Sequence, residues 1–165
     1  MTSKGNRDTL VIGLGNSDRA DDGIGPLVAG RLAGGCLDGA RVIARSGDML
    51  ALIEDWADCD VVVLIDAAAL VSRPGAIHRI DLVSDELPRD LSLSSTHAFS
   101  MADAIGLART LHMLPPRVIV YAIEGACFEP GAAMTAEVAA AVAEVAGRVM
   151  VDLQSLQTTG TQVHA

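Results

Sequence analysis

At 165 residues, half of them apolar, the chain has the length of one domain and can bury about 70% of its unfolded surface. Its net charge of −9, from 12 basic and 21 acidic residues, argues against a polyanion binder, and 2% aromatic content leaves little for base stacking, so no nucleic-acid partner is expected. Cys36, Cys59 and Cys127 form no CxxC pair, which argues against a thiolate zinc site and fits free thiols in a reducing cytoplasm.

The first eight residues contain no apolar stretch of the signal-peptide kind, and no segment has the length of a membrane span without Gly, Pro or charge. A cytoplasmic protein with no membrane partner is expected. Thr9 to Leu14 is short, apolar and β-branched, and reads as a buried parallel strand. It runs into Gly13-Leu14-Gly15-Asn16, followed by Asp21-Asp22-Gly23-Ile24-Gly25. A nucleotide-binding turn would need a third glycine where Asp18 stands. Asp18, Asp21 and Asp22 would compete with an anionic ligand at the helix start, so this loop suits a cation better than a phosphate.

A helix is predicted from about Gly25-Pro26, with Pro26 at its first position, apolar residues Ile24, Leu27, Val28 and Leu32, and Gly34-Gly35 as the stop. Arg41 to Arg45 is a second strand and Met49 to Trp56 a short helix. Asp60 to Ile65 is the clearest central strand and ends on Asp66. Ala76 to Leu82 follows after too few residues for a parallel crossover, so it is expected to be antiparallel and at an edge. Val83 to Thr96 reads as a loop. Met101, Ala104, Ile105, Ala108 and Leu111 mark a helix that Pro115-Pro116 stops, and Arg117 to Ile123 is a fifth strand. Thr135 is read as the cap of a final helix whose buried face is Val138, Val142, Val145, Val149 and Leu153. Residues from about 157 read as a frayed tail, leaving a single domain with its core at about 9–155.

This pattern indicates an α/β fold: a three-layer α/β/α sandwich, phosphorylase/hydrolase-like, around a five-stranded, mostly parallel sheet with one antiparallel edge strand. Functional loops of such sheets lie at the carboxyl ends of the strands, and Leu14, Asp66 and Glu124 fall there together. Taken singly, each candidate has a structural reading: Asp66 as a turn cap, Asp22 as an acidic residue at a helix start, His97 as a junction residue. Taken together, two carboxylates and an imidazole make a mixed oxygen/nitrogen site that divalent transition metals accept, with positions left open.

The chain resembles the maturation endopeptidases of nickel-iron hydrogenases over roughly residues 9–155. The resemblance rests on Gly13-Leu14-Gly15-Asn16 with Asp21-Asp22-Gly23-Ile24-Gly25, Val63-Leu64-Ile65-Asp66-Ala67, Ser95-Thr96-His97, and Ile123-Glu124-Gly125 with Pro130-Gly131. It implies that Asp22, Asp66 and His97 are the metal-binding and catalytic residues. It implies an endopeptidase, aspartic-type by family usage, that removes the C-terminal extension of the hydrogenase large-subunit precursor. Nickel already bound in that precursor is the recognised feature, and other divalent metals can occupy the site. Glu124 is expected to support the site or simply the fold rather than bind metal. Two other functions share these features: a non-enzymatic nickel-binding maturation chaperone, and a peptidyl-tRNA hydrolase, whose similar opening turn accompanies a basic surface that this chain lacks. Nothing in the sequence demands more than a monomer.

Overall fold

The computed structural model describes residues 8–35, 37–88 and 100–161. Strands β1 (Thr9–Leu14), β2 (Ala40–Arg45), β3 (Val61–Ala68), β4 (Ile77–Asp81) and β5 (Arg117–Glu124) form one sheet in the order β2-β1-β3-β5-β4. All neighbours run parallel except β4, which pairs antiparallel with β5 at the edge. The short β3–β4 connection enforces that reversal, because a parallel return would need a longer crossover.

Side chains alternate along each strand and so build two cores. Leu10, Ile12, Leu14, Val62 and Leu64 pack with Leu52 and Trp56 near α2 (Ala51–Asp55) and with Met101, Ala104 and Ile105 of α3 (Met101–Thr110). Val11, Val63 and Ile65 face the other way, onto Ile24, Val28 and Leu32 of α1 (Ile24–Ala33) and Val138, Val142 and Val145 of α4 (Ala136–Thr161). Helices on both faces explain why β3 is apolar on both sides and buried along its length.

Several local expectations change, and Leu27, read with the apolar face of α1, is half exposed. Pro26 is the third residue of α1, not the first, although it still falls in the first turn, where an N–H has no partner within the helix. Asp66 lies inside β3 rather than beyond it, because the ladder with β5 continues to Ala68 opposite Glu124. The residues read as a frayed tail from 157 continue α4 to Thr161. Leu156 is buried on the helix's inner side, and the Gln157 side chain donates to the Asp38 carbonyl at 2.7 Å. Of the expected loop at 83–96, residues 83–88 are irregular and the rest lies outside the described residues. Cys59 and Cys127 are free thiols, while Cys36 is not among the described residues.

Candidate active site

The glycines of the opening motif serve close packing. A Cβ on Gly25 would lie 2.1 Å from the Leu14 carbonyl oxygen and 2.6 Å from that of Ile65, so α1 starts directly against the ends of β1 and β3. Gly15 has φ +132°, and a Cβ there would meet the Asp22 carbonyl oxygen at 1.9 Å. Both positions exclude any larger residue.

Between Gly15 and α1 the chain makes a single 3-10 turn, Ala20–Gly23. Asp22 in that turn accepts the Asn16 backbone N–H on Oδ2 at 2.9 Å, and the Arg19 guanidinium is 3.9 Å away. A glycine-turn N–H of the type that meets phosphate in a nucleotide loop is thus taken by a carboxylate of the protein itself. That is the physical reason the motif resembles a phosphate loop without being one.

Asp22 and Asp66 are near enough for the charge of one to act on the other, and neither is a solvent-facing residue: they are 6% and 3% exposed. Burial, and then the charge of Asp22, push the Asp66 carboxyl well above the ordinary carboxylate range. A hydrogen bond from the Ala67 backbone opposes that rise. Two acidic groups forced together out of water are the arrangement that a cation, or a transferable proton, would relieve. His97 lies outside the described residues, and among the described residues no group of three or more His, Cys, Asp or Glu side chains is arranged to hold a metal.

Two further buried carboxylates stand at the same end of the sheet, each spent on the protein's own backbone. Glu124 accepts the N–H groups of Val71, Ser72 and Arg73, the Ser72 hydroxyl and His78 Nε2. Asp21 accepts the N–H groups of Ala126, Cys127 and Thr135 and the Thr135 hydroxyl. The hydroxyl of Thr135, read from the sequence as a helix cap, therefore joins two loops, while its carbonyl accepts the Ala139 N–H at the start of α4. The resemblance singled out Asp22 for the site, but nothing local in the sequence gave Asp21 a role of its own. The signal that separates them is the N–H-rich loop 126–135, which is distant in sequence and adjacent only in the fold.

A family model described as hydrogenase maturation protease matches residues 45–151, more than half of the chain. The matched region contains Asp66 and His97; Asp22 precedes it. No curated protein matches the sequence. Among solved structures, the hydrogenase maturating endopeptidase HybD from E. coli is similar with a TM-score of 0.74 and 20% identity, over 90% of this chain and 93% of that one. The [NiFe] hydrogenase maturation protease HycI from Thermococcus kodakarensis KOD1 gives 0.71 and 17%, over 92% and 95%. The hydrogenase 2 maturation peptidase from Thaumarchaeota archaeon SCGC_AB-539-E09 gives 0.65 and 23%, over 89% and 98%. At these identities the structural likeness shows a shared fold, and the family match carries the assignment.

Proposed function

The chain belongs to the hydrogenase maturation protease family, and on that premise we propose that Asp22 and Asp66, joined by His97, form the site at which it recognises nickel in its precursor substrate and cuts the C-terminal extension. The observation that carries this reading is the buried pair itself. Burial, and then the charge of Asp22, push the Asp66 carboxyl well above its ordinary range, at the sheet end where α/β folds place their chemistry. Buried carboxyls shifted in this way cluster at functional sites.

Two hard oxygen donors and one imidazole bind a free divalent ion weakly compared with a thiolate-rich site. Nickel held by cysteines in the precursor could be shared with this open donor set, so that recognition is a coordination event and nickel-free precursor is ignored. When present, the ion supplies positive charge that favours the ionised forms of both carboxylates. Asp22 and Asp66 then stand beside the scissile peptide as acceptors, able to orient a water and take its proton. The protein is proposed to act as a cytoplasmic monomer on the [NiFe]-hydrogenase large-subunit precursor, without nucleic acid or membrane. No helix among the described residues is long and apolar enough to cross a bilayer.

The test is a processing assay with nickel-loaded and nickel-free precursor. Wild type is expected to cleave the loaded form alone, and Asp22→Asn, Asp66→Asn and His97→Ala to lose that cleavage. Efficient cleavage of the nickel-free precursor with metal chelated would overturn nickel recognition. Specific binding of loaded precursor by the wild type with no cleavage would favour the chaperone.

A further inference from the structure

Asp21 is 0% exposed, and among the described residues its side-chain hydrogen bonds all come from one neighbouring loop. Oδ2 accepts the Ala126 N–H at 2.8 Å and the Cys127 N–H at 3.0 Å; Oδ1 accepts the Thr135 N–H at 2.8 Å. The Thr135 hydroxyl lies 3.0 Å from both oxygens, and the Asp21 backbone N–H donates to the Cys127 carbonyl at 3.0 Å. Gly125 allows the approach, since a Cβ there would sit 2.9 Å from Asp21 Cβ. The acceptor-only carboxylate meets donors on both oxygens, the case in which such bonds are strong.

We propose that Asp21 is a positioning residue for Asp22: it straps the Ala20–Gly23 turn to the loop after β5 and so aims the Asp22 carboxylate. This rests on the reading of Asp22 as a site residue. Three features lead to it. Successive side chains of a 3-10 turn diverge by about a third of a revolution, so fixing Asp21 toward loop 126–135 turns Asp22 elsewhere, where it meets the Asn16 N–H. Ala20 immediately before has φ +49°, a left-handed conformation that a residue with a Cβ holds only when its surroundings over-determine it. On the opposite side Gly15 lies so close to the Asp22 carbonyl that the turn has no room to relax. The Asp22 backbone is gripped between the glycine turn and the Asp21 strap.

A mere anchor for loop 126–135 would make the same hydrogen bonds, so the decisive probe is the Asn16 amide, which reports where the Asp22 carboxylate sits. The experiment compares the ¹⁵N-labelled full chain with its Asp21→Asn, Thr135→Val and Asp22→Asn variants, by amide hydrogen exchange and by cleavage of nickel-loaded precursor. In Asp21→Asn an amide nitrogen faces a donor. The amides of Ala126, Cys127 and Thr135 are expected to shift, the Asn16 amide to lose protection about tenfold, and kcat/KM to fall at least tenfold, the order that small misplacements cost. An Asn16 amide that keeps wild-type protection while the other three shift overturns the proposal and leaves Asp21 a loop anchor. If Asp21→Asn does not fold, Thr135→Val, which removes only the hydroxyl donor, decides by the same four amides. Full cleavage by Asp22→Asn would overturn the role of Asp22 itself, whatever the Asn16 amide shows.

Discussion

His78 Nε2 lies 2.7 Å from Glu124 Oε1, so a half-exposed ring on the edge strand, together with the Ser72 hydroxyl, closes the side of a fully buried carboxylate that backbone N–H groups leave open. The other Glu124 oxygen takes the N–H groups of Val71, Ser72 and Arg73. The loop following the Asp66 strand is therefore pinned from beneath, and the exposed Leu70 and Val71 are carried on a fixed backbone.

Burial acts to raise the Glu124 carboxyl, but the hydrogen bonds from Val71, His78 and Ser72 outweigh it and hold the group down at about 2, against an ordinary value of 4.5. A carboxylate depressed in the folded state contributes stability that is complete above its unfolded value and disappears as pH falls through the folded one. Denaturant midpoints should thus decline between about pH 4.5 and 2 in wild type. Glu124→Gln should cost about 1–3 kcal/mol at neutral pH, since a donor is left facing a donor. It should flatten that part of the pH profile and leave nickel-dependent processing in the folded protein. Loss of processing by a stable Glu124→Gln variant would show that Glu124 belongs to the reacting site.

Asp66→Asn removes a buried ionisable group beside Asp22 while keeping the shape of the side chain. The variant is expected to melt at or above the wild-type temperature at neutral pH without metal, and to lose cleavage. A lower melting temperature together with full activity would mean that the pair is structural.

Glycines separate into two classes that mutate in opposite directions. Gly25→Ala drives a methyl into the Leu14 and Ile65 carbonyls and should cost about 3 kcal/mol or prevent folding. Gly106 and Gly147 lie within α3 and α4 with open space where a Cβ would go, so alanine at either should stabilise by about 0.5–1 kcal/mol. Thermal melts of the three variants check the contrast.

Helix α4 is tied to the sheet through Asp152, which receives two hydrogen bonds from Arg79, both at 2.9 Å, and another from the Tyr121 hydroxyl. Burial, and then that bond to Asp152, raise the Tyr121 phenol. Tyr121→Phe removes one of three donors and leaves the Arg79 pair intact, so a loss of about 1 kcal/mol is expected in chemical denaturation. A loss above about 3 kcal/mol would mean that the phenol, rather than Arg79, holds the helix.

The sequence by itself determined the layer architecture, because apolar periodicity is local: Val61–Ile65 could only be a strand covered on both faces, and the spacing of Val138, Val142 and Val145 could only face one way along a helix. Strand reversal at β4 was equally legible, since connection length limits topology. The glycine motif with Asp22, and Asp66 after the apolar run of the central strand, pointed to the carboxyl-terminal edge of the sheet. Only the tertiary structure decided the surroundings of each acidic residue. Asp21, Asp22, Asp66 and Glu124 share one side-chain chemistry; burial and the charge of Asp22 push the Asp66 carboxyl upward, whereas surrounding hydrogen-bond donors hold Glu124 down. Those N–H groups come from residues about fifty positions away for Glu124, and more than a hundred away for Asp21. No local pattern encodes such distances, because a carboxylate's behaviour depends on the donors and charges that folding places around it.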